Sequence, residues 1–151
     1  MSETKITMTK DQLFKVIRLS EQENKTESRS NSGFENMVST LLHSQTQVHI
    51  FHLQTKSYSE HKALQGYYEG IDDLVDGIIE SYQGKYDVIK NYNSIKTEDY
   101  KSSEQVIGYF KSLDTMIEKS RKSVKESYIQ NQIDTVQELI YSTLYKLRFL
   151  K

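Results

Sequence analysis

The chain has no cysteine and no proline, and glycine is scarce at 6 of 151 residues. Without cysteine there is no disulfide, no thiolate metal site and no cysteine nucleophile, so any metal must be held by nitrogen and oxygen ligands. Without proline, and with so few glycines, long helices are favoured over a many-turned β fold. An excess of charge of one sign is also missing: 20 Lys and Arg stand against 21 Asp and Glu, a formal net charge of −1. That balance argues against duplex DNA or an anionic membrane as a partner. No run approaches the ~18 consecutive apolar residues of a membrane span, and no signal-peptide pattern opens the sequence. A cytoplasmic rather than secreted protein is the expectation.

What is present is helical periodicity on the scale of one domain. A short helix is expected in TKDQLFKVIRL, where Thr9 and Gln12 form a capping box and Leu13, Phe14, Val16 and Ile17 give a sticky side. The polar stretch SEQENKTESRSNSG has nothing to bury and reads as a linker, so residues 1–33 form an N-terminal arm and 34–151 the body. In the body, Ser32 with Glu35 and Ser57 with Glu60 repeat the capping signature. They start helices over 32–54 and from Ser57 onward, the second ending at Gly84 as a C′ residue. Apolar residues at helical spacing place two more helices, over 102–124 and from near Asn131. The first two helices, and the last two, are joined by a few residues, as antiparallel neighbours require. The segment KYDVIKNYNSIKTEDYK between the pairs is far longer and can reach about 55 Å, at ~3.3 Å per residue. It is long enough to run back along the bundle. The expected fold is all-α: a ferritin-like four-helix bundle with one long crossover and a short helical arm.

On the second helix His61, Gln65, Glu69, Asp72, Asp76 and Glu80 fall within a sector of about 100°. Gly66, Gly70 and Gly77 form a narrow strip beside it. An amphipathic helix must show water something, and a row of acids is a common solvated face. Glycine inside a helix, however, costs ~1 kcal/mol relative to alanine, and three along one strip suggest close approach by a neighbour. His61 and Asp76 stand ~22 Å apart along the axis, so one ion cannot touch both within one copy. Two copies of this helix crossing antiparallel about a two-fold axis would place His61 opposite the partner's Glu80 and position 65 opposite the partner's Asp76.

At these residues the chain resembles the Dps-like branch of the ferritin-like superfamily, the miniferritins. The stretch HIFHLQTKSYSEH is similar to the family's span from its first to its second ligand histidine. The resemblance implies His49 and His61 as nitrogen ligands, with Asp76 and Glu80 as the acidic pair that a symmetry mate supplies. It implies iron as the metal, a homo-oligomer built through this helix, and ferroxidase-like oxidation and storage. One departure stands out: Gln65 occupies the place of a family aspartate, and an amide brings no charge to a hard cation. The chain is also similar to small uncharacterised phage proteins with a ferritin-like bundle. That likeness implies a virion-associated setting, other virion proteins as partners and a non-catalytic assembly role.

The usual di-iron arrangement needs Glu-x-x-His on two helices, and no histidine lies in the last two helices. His52 follows His49 by three positions, and such a pair is more often structural than ligating. The arm nearly balances its charges, so nucleic acid is not an expected partner.

Overall fold

Thr9 starts the first helix, and its box closes in both directions. The Thr9 hydroxyl accepts from the Gln12 amide at 3.3 Å, and the Gln12 side chain accepts from the Thr9 amide at 2.9 Å. In the computed structural model, which describes residues 8–151 with the side chains of 23–32 left aside, this helix (α1) runs unbroken over Lys10–Gln54. The expected linker is therefore helical, and Ser32 does not begin a new helix. The physical reason lies in its composition. Glu, Gln, Lys and Arg are good helix formers, and no proline interrupts them. Lack of anything to bury removes a reason to pack, and leaves the backbone hydrogen bonds untouched. Among the described side chains, Phe34 is the first to be buried and is fully enclosed, whereas every residue from Met8 to Gln22 is exposed.

The second helix (α2, Tyr58–Lys85) is capped by the Ser57 hydroxyl, which accepts from the Glu60 amide at 3.3 Å. Gly84 does not end it: no glycine has a positive φ, and the helix continues to Lys85 with Tyr86 as its C-cap. The third (α3, Ser103–Ser120) is capped by Ser102. It stops short of the expected 124, passing into a 3-10 turn at Arg121–Ser123. The fourth (α4, Ser127–Phe149) begins a turn earlier than the periodicity suggested, which buries Ile129 completely. The Gln130 side chain anchors that corner by donating 2.7 Å bonds to the carbonyls of Arg121 and Val124.

Directions follow from the contacts. Phe34 stacks on Tyr82, the Ser44 hydroxyl meets that of Tyr67, and His52 meets His61, so α1 and α2 are antiparallel. Residues 86–102 then return alongside α1. The Asn93 amide donates to the Ser39 hydroxyl. Glu98 exchanges two bonds with the buried Gln47 side chain, and Tyr100 and Asp99 both bond the Gln54 side chain. Partners advance together along both segments, so the return runs parallel to α1 and delivers α3 to the end where α2 began. There the Ser103 hydroxyl donates to Glu60 at 2.6 Å. Asp114 with Tyr141, and Arg121 with Asp134, set α3 against α4 in opposite directions. The four helices enclose one core in which Phe34, Phe51, Tyr67 and Phe110 are the bulkiest fully buried side chains.

The glycine strip of α2 marks the approach of α4. A methyl group at Gly70 would meet Leu139 at 3.4 Å, and one at Gly77 would meet the Gln132 side chain, whose amide donates to the Gly77 carbonyl at 3.2 Å. The close neighbour is within the same chain. Among the described residues, no helix is long and apolar enough to cross a membrane.

Candidate functional site

The expected ligands lie on two parts of the molecule. His49, near the end of α1, is exposed and stacks on Tyr68 of α2, with ring centroids 4.1 Å apart. His61, in the first turns of α2, is half-buried and stacks on His52 at 3.6 Å. His52 in turn lies 5.8 Å from His49. The antiparallel α1–α2 turn thus gathers three imidazoles into one aromatic cluster.

Within that cluster two hydrogen bonds are reciprocal. His61 Nδ1 donates to the His52 carbonyl at 3.0 Å, and His52 Nδ1 donates to the His61 carbonyl at 2.8 Å. A carbonyl only accepts, so each Nδ1 carries its proton. A neutral imidazole in that state keeps its lone pair on Nε2. Metal-binding histidines are commonly held in this way, with a backbone carbonyl fixing ring and tautomer. His52, read from the sequence as a structural partner of His49, is the residue that orients His61. The signal for it was present only as a histidine at the right distance before a tight turn.

Asp76 and Glu80 lie further along α2 on its outer face, both exposed, roughly 22 and 28 Å from His61 at ~1.5 Å per residue. One copy does not bring them to the histidines. Consistent with that, among the described residues no three His, Asp or Glu side chains converge as a metal site. Gln65 is occupied: its oxygen accepts from Lys62 at 2.7 Å and its amide donates to Glu69 at 2.8 Å. His43, in the middle of α1, is partly buried with its Nε2 unpartnered, and burial holds its pKa below the usual imidazole range.

Imidazole nitrogen suits iron, zinc or copper better than calcium or magnesium, and a carboxylate brought to it from another copy would add charge. Chemically the α1–α2 turn offers oriented nitrogen ligands, and the outer face of α2 offers a solvated row of carboxylates.

No curated protein and no solved structure matches the chain. Residues 52–147 match a family of unknown function (DUF5856), a span that holds His52, His61, Asp76 and Glu80 and leaves His49 just outside. Covering well over half of the sequence, that match places the chain in the family of unknown function DUF5856.

Proposed function

We propose that the protein is a ferritin-like, Dps-like oligomer that binds a divalent transition metal, iron first among them, between two antiparallel copies of α2. His49 and His61 supply nitrogen from one copy, and the partner's Asp76 and the partner's Glu80 supply oxygen. The observation that carries this reading is the bond from His61 Nδ1 to the His52 carbonyl, which keeps Nε2 of a half-buried imidazole available to a metal. The helix directions and the long return along α1 also support a ferritin-like bundle. Bound iron would supply oxidation of the ferrous to the ferric ion by dioxygen or peroxide. The chain's own residues bind it, orient the imidazoles and offset its charge with carboxylates. Gln65, tied to Lys62 and Glu69, contributes neither charge nor a spare oxygen.

The test is anaerobic addition of Fe(II), with bound metal measured and then oxygen admitted. His61→Ala and Asp76→Ala should each abolish the same metal equivalent. Mixed dimers of the two variants should regain about half the sites, because one of two symmetric sites is intact. A stable monomer, or independent losses in the two variants, would sink the shared site.

A second reading has its own observation. Leu13, Phe14, Val16, Ile17 and Leu19 are between 41% and 61% exposed on the arm of α1. Such an apolar stretch suits a non-catalytic assembly component, in a virion or another complex, whose arm docks on a neighbour. An oligomer that forms without metal and breaks when Phe14 and Ile17 are made polar favours this second reading.

A further inference from the structure

A cavity of about 620 Å³ opens at the end of the molecule where the N-termini of α2 and α3 meet the last turn of α4. It lies within the size range of small-molecule sites, about 300–1,000 Å³. Its wall includes Glu60, and Glu60 is unusual. Ser57 and Glu60 have the spacing of a capping box, yet only half of the box forms. The Ser57 hydroxyl takes the Glu60 amide, while the Ser57 amide donates to Thr55 Oγ1 at 3.2 Å instead of to the carboxylate. The Glu60 side chain turns toward α3, where Oε2 accepts from the Ser103 hydroxyl. The residue is only 6% exposed, and its Oε1 is buried without a hydrogen-bond partner.

A buried carboxylate oxygen without a donor is costly, and a bound cation or ligand is one of the things that can offset that cost. The cavity wall is also polarised. Glu60 and Glu104 lie on the α2–α3 side, and Arg148 and Lys151 on the α4 side, with the Arg148 guanidinium 4.9 Å over the Phe149 ring. Ile107 and Leu147 supply apolar surface between them. The geometry points to a binding site for a small zwitterion, an ammonium and a carboxylate joined by a short aliphatic chain. The ammonium completes Glu60, and the carboxylate faces Arg148. With Oε1 closed off from solvent, the carboxyl group turns about its soft terminal torsion to bring an oxygen to the ammonium, and the freely rotating Ser103 hydroxyl follows it. This site is separate from the histidine cluster and does not rest on the proposed metal.

The experiment is a titration of the isotope-labelled full chain, followed through the backbone amides of residues 58–60 and 103–107. The probes are β-alanine, γ-aminobutyrate and ε-aminocaproate, with n-butylammonium and n-butyrate as singly charged controls. At least one amino acid should bind saturably, in the roughly millimolar range expected of so few atoms, and more tightly than either control. Glu60→Gln retains an acceptor for Ser103 and replaces the free oxygen by a donor, so affinity should fall about tenfold or more. Arg148→Gln, at an exposed position, should erase the preference for the amino acids over n-butylammonium. The proposal is overturned if no amino acid shifts these amides, if n-butyrate binds as tightly, or if both variants bind as the parent does. Should Glu60→Gln fail to fold, Arg148→Gln and the two controls still decide.

Discussion

His52 and His61 hold one another by the same bond in both directions, Nδ1 of each donating to the carbonyl of the other, with the rings stacked 3.6 Å apart. The pair closes the α1–α2 turn from two sides. Replacing His52, which is buried, by Ala removes its bond to the His61 carbonyl and its stack on the His61 ring. In metal-free buffer His52→Ala should lose about 1–3 kcal/mol of stability, whereas His49→Ala, at an exposed position, should lose far less. Urea unfolding of the two variants measures both. Equal, small losses would mean that the pair is incidental.

Gly84 lies inside α2, with no atom within 4 Å of a methyl group added there and no positive φ to require glycine. Gly84→Ala should therefore stabilise the chain by about 0.5–1 kcal/mol, the helix propensity difference. A thermal melt reads this as a raised midpoint. Destabilisation would restore the C′ role that its place in the sequence suggested.

Tyr86 and Glu126 share a hydrogen bond that acts on both groups. The phenol's donation holds the Glu126 carboxyl below its usual range, and that same bond to Glu126 pushes the Tyr86 hydroxyl from 10.0 up to about 12. The carboxylate contribution is present above the ordinary value near 4.5 and is lost as pH falls through the depressed folded value. The phenol contribution is present below 10.0 and is lost as pH rises through about 12. Tyr86→Phe should remove both slopes and leave mid-range stability lowered. Urea midpoints across the pH range decide, and parallel curves for the two proteins would refute the linkage.

Phe14 and Phe34 lie on the same helix and differ only in what surrounds them: Phe14 is 61% exposed and Phe34 is 0% exposed. Phe34→Ala should cost about 3–5 kcal/mol. Phe14→Ser should stay within about 0.5 kcal/mol in dilute solution, where nothing covers it. A large loss at Phe14 would show that the arm packs on something in the free protein.

Gln65→Asp tests the proposed metal site by addition. The change removes the amide link to Glu69 and brings a carboxylate to the position facing the partner's Asp76 in the proposed dimer. Metal binding should tighten by about tenfold, or ~1.4 kcal/mol, measured by anaerobic titration. Unchanged affinity in a protein that dimerises would remove position 65, and with it the antiparallel register, from the proposal.

How much of this was legible beforehand depends on the range of the interaction. Thr9, Ser57 and Ser102 cap helices because a hydroxyl reaches an amide three residues on, and such partners can be read in one dimension. The strip of Gly66, Gly70 and Gly77 announced a close neighbour without naming α4. His52 was undervalued because its partner is not the histidine three positions away on its own helix but one across a turn. The helical course of residues 20–33 is not legible from apolar spacing, because a helix that buries nothing leaves no periodic pattern.

The sequence alone determined the all-helical architecture, the capped starts at Thr9 and Ser57 and the apolar faces, since propensity, capping and periodicity act within a few residues. Tertiary structure alone decided which histidine orients which, and that Glu60 leaves its cap to face α3. Those outcomes turn on where a side chain's competing partners lie in space. The Glu60 carboxylate takes a Ser103 hydroxyl 43 residues away, while the Ser57 amide three positions back goes to Thr55.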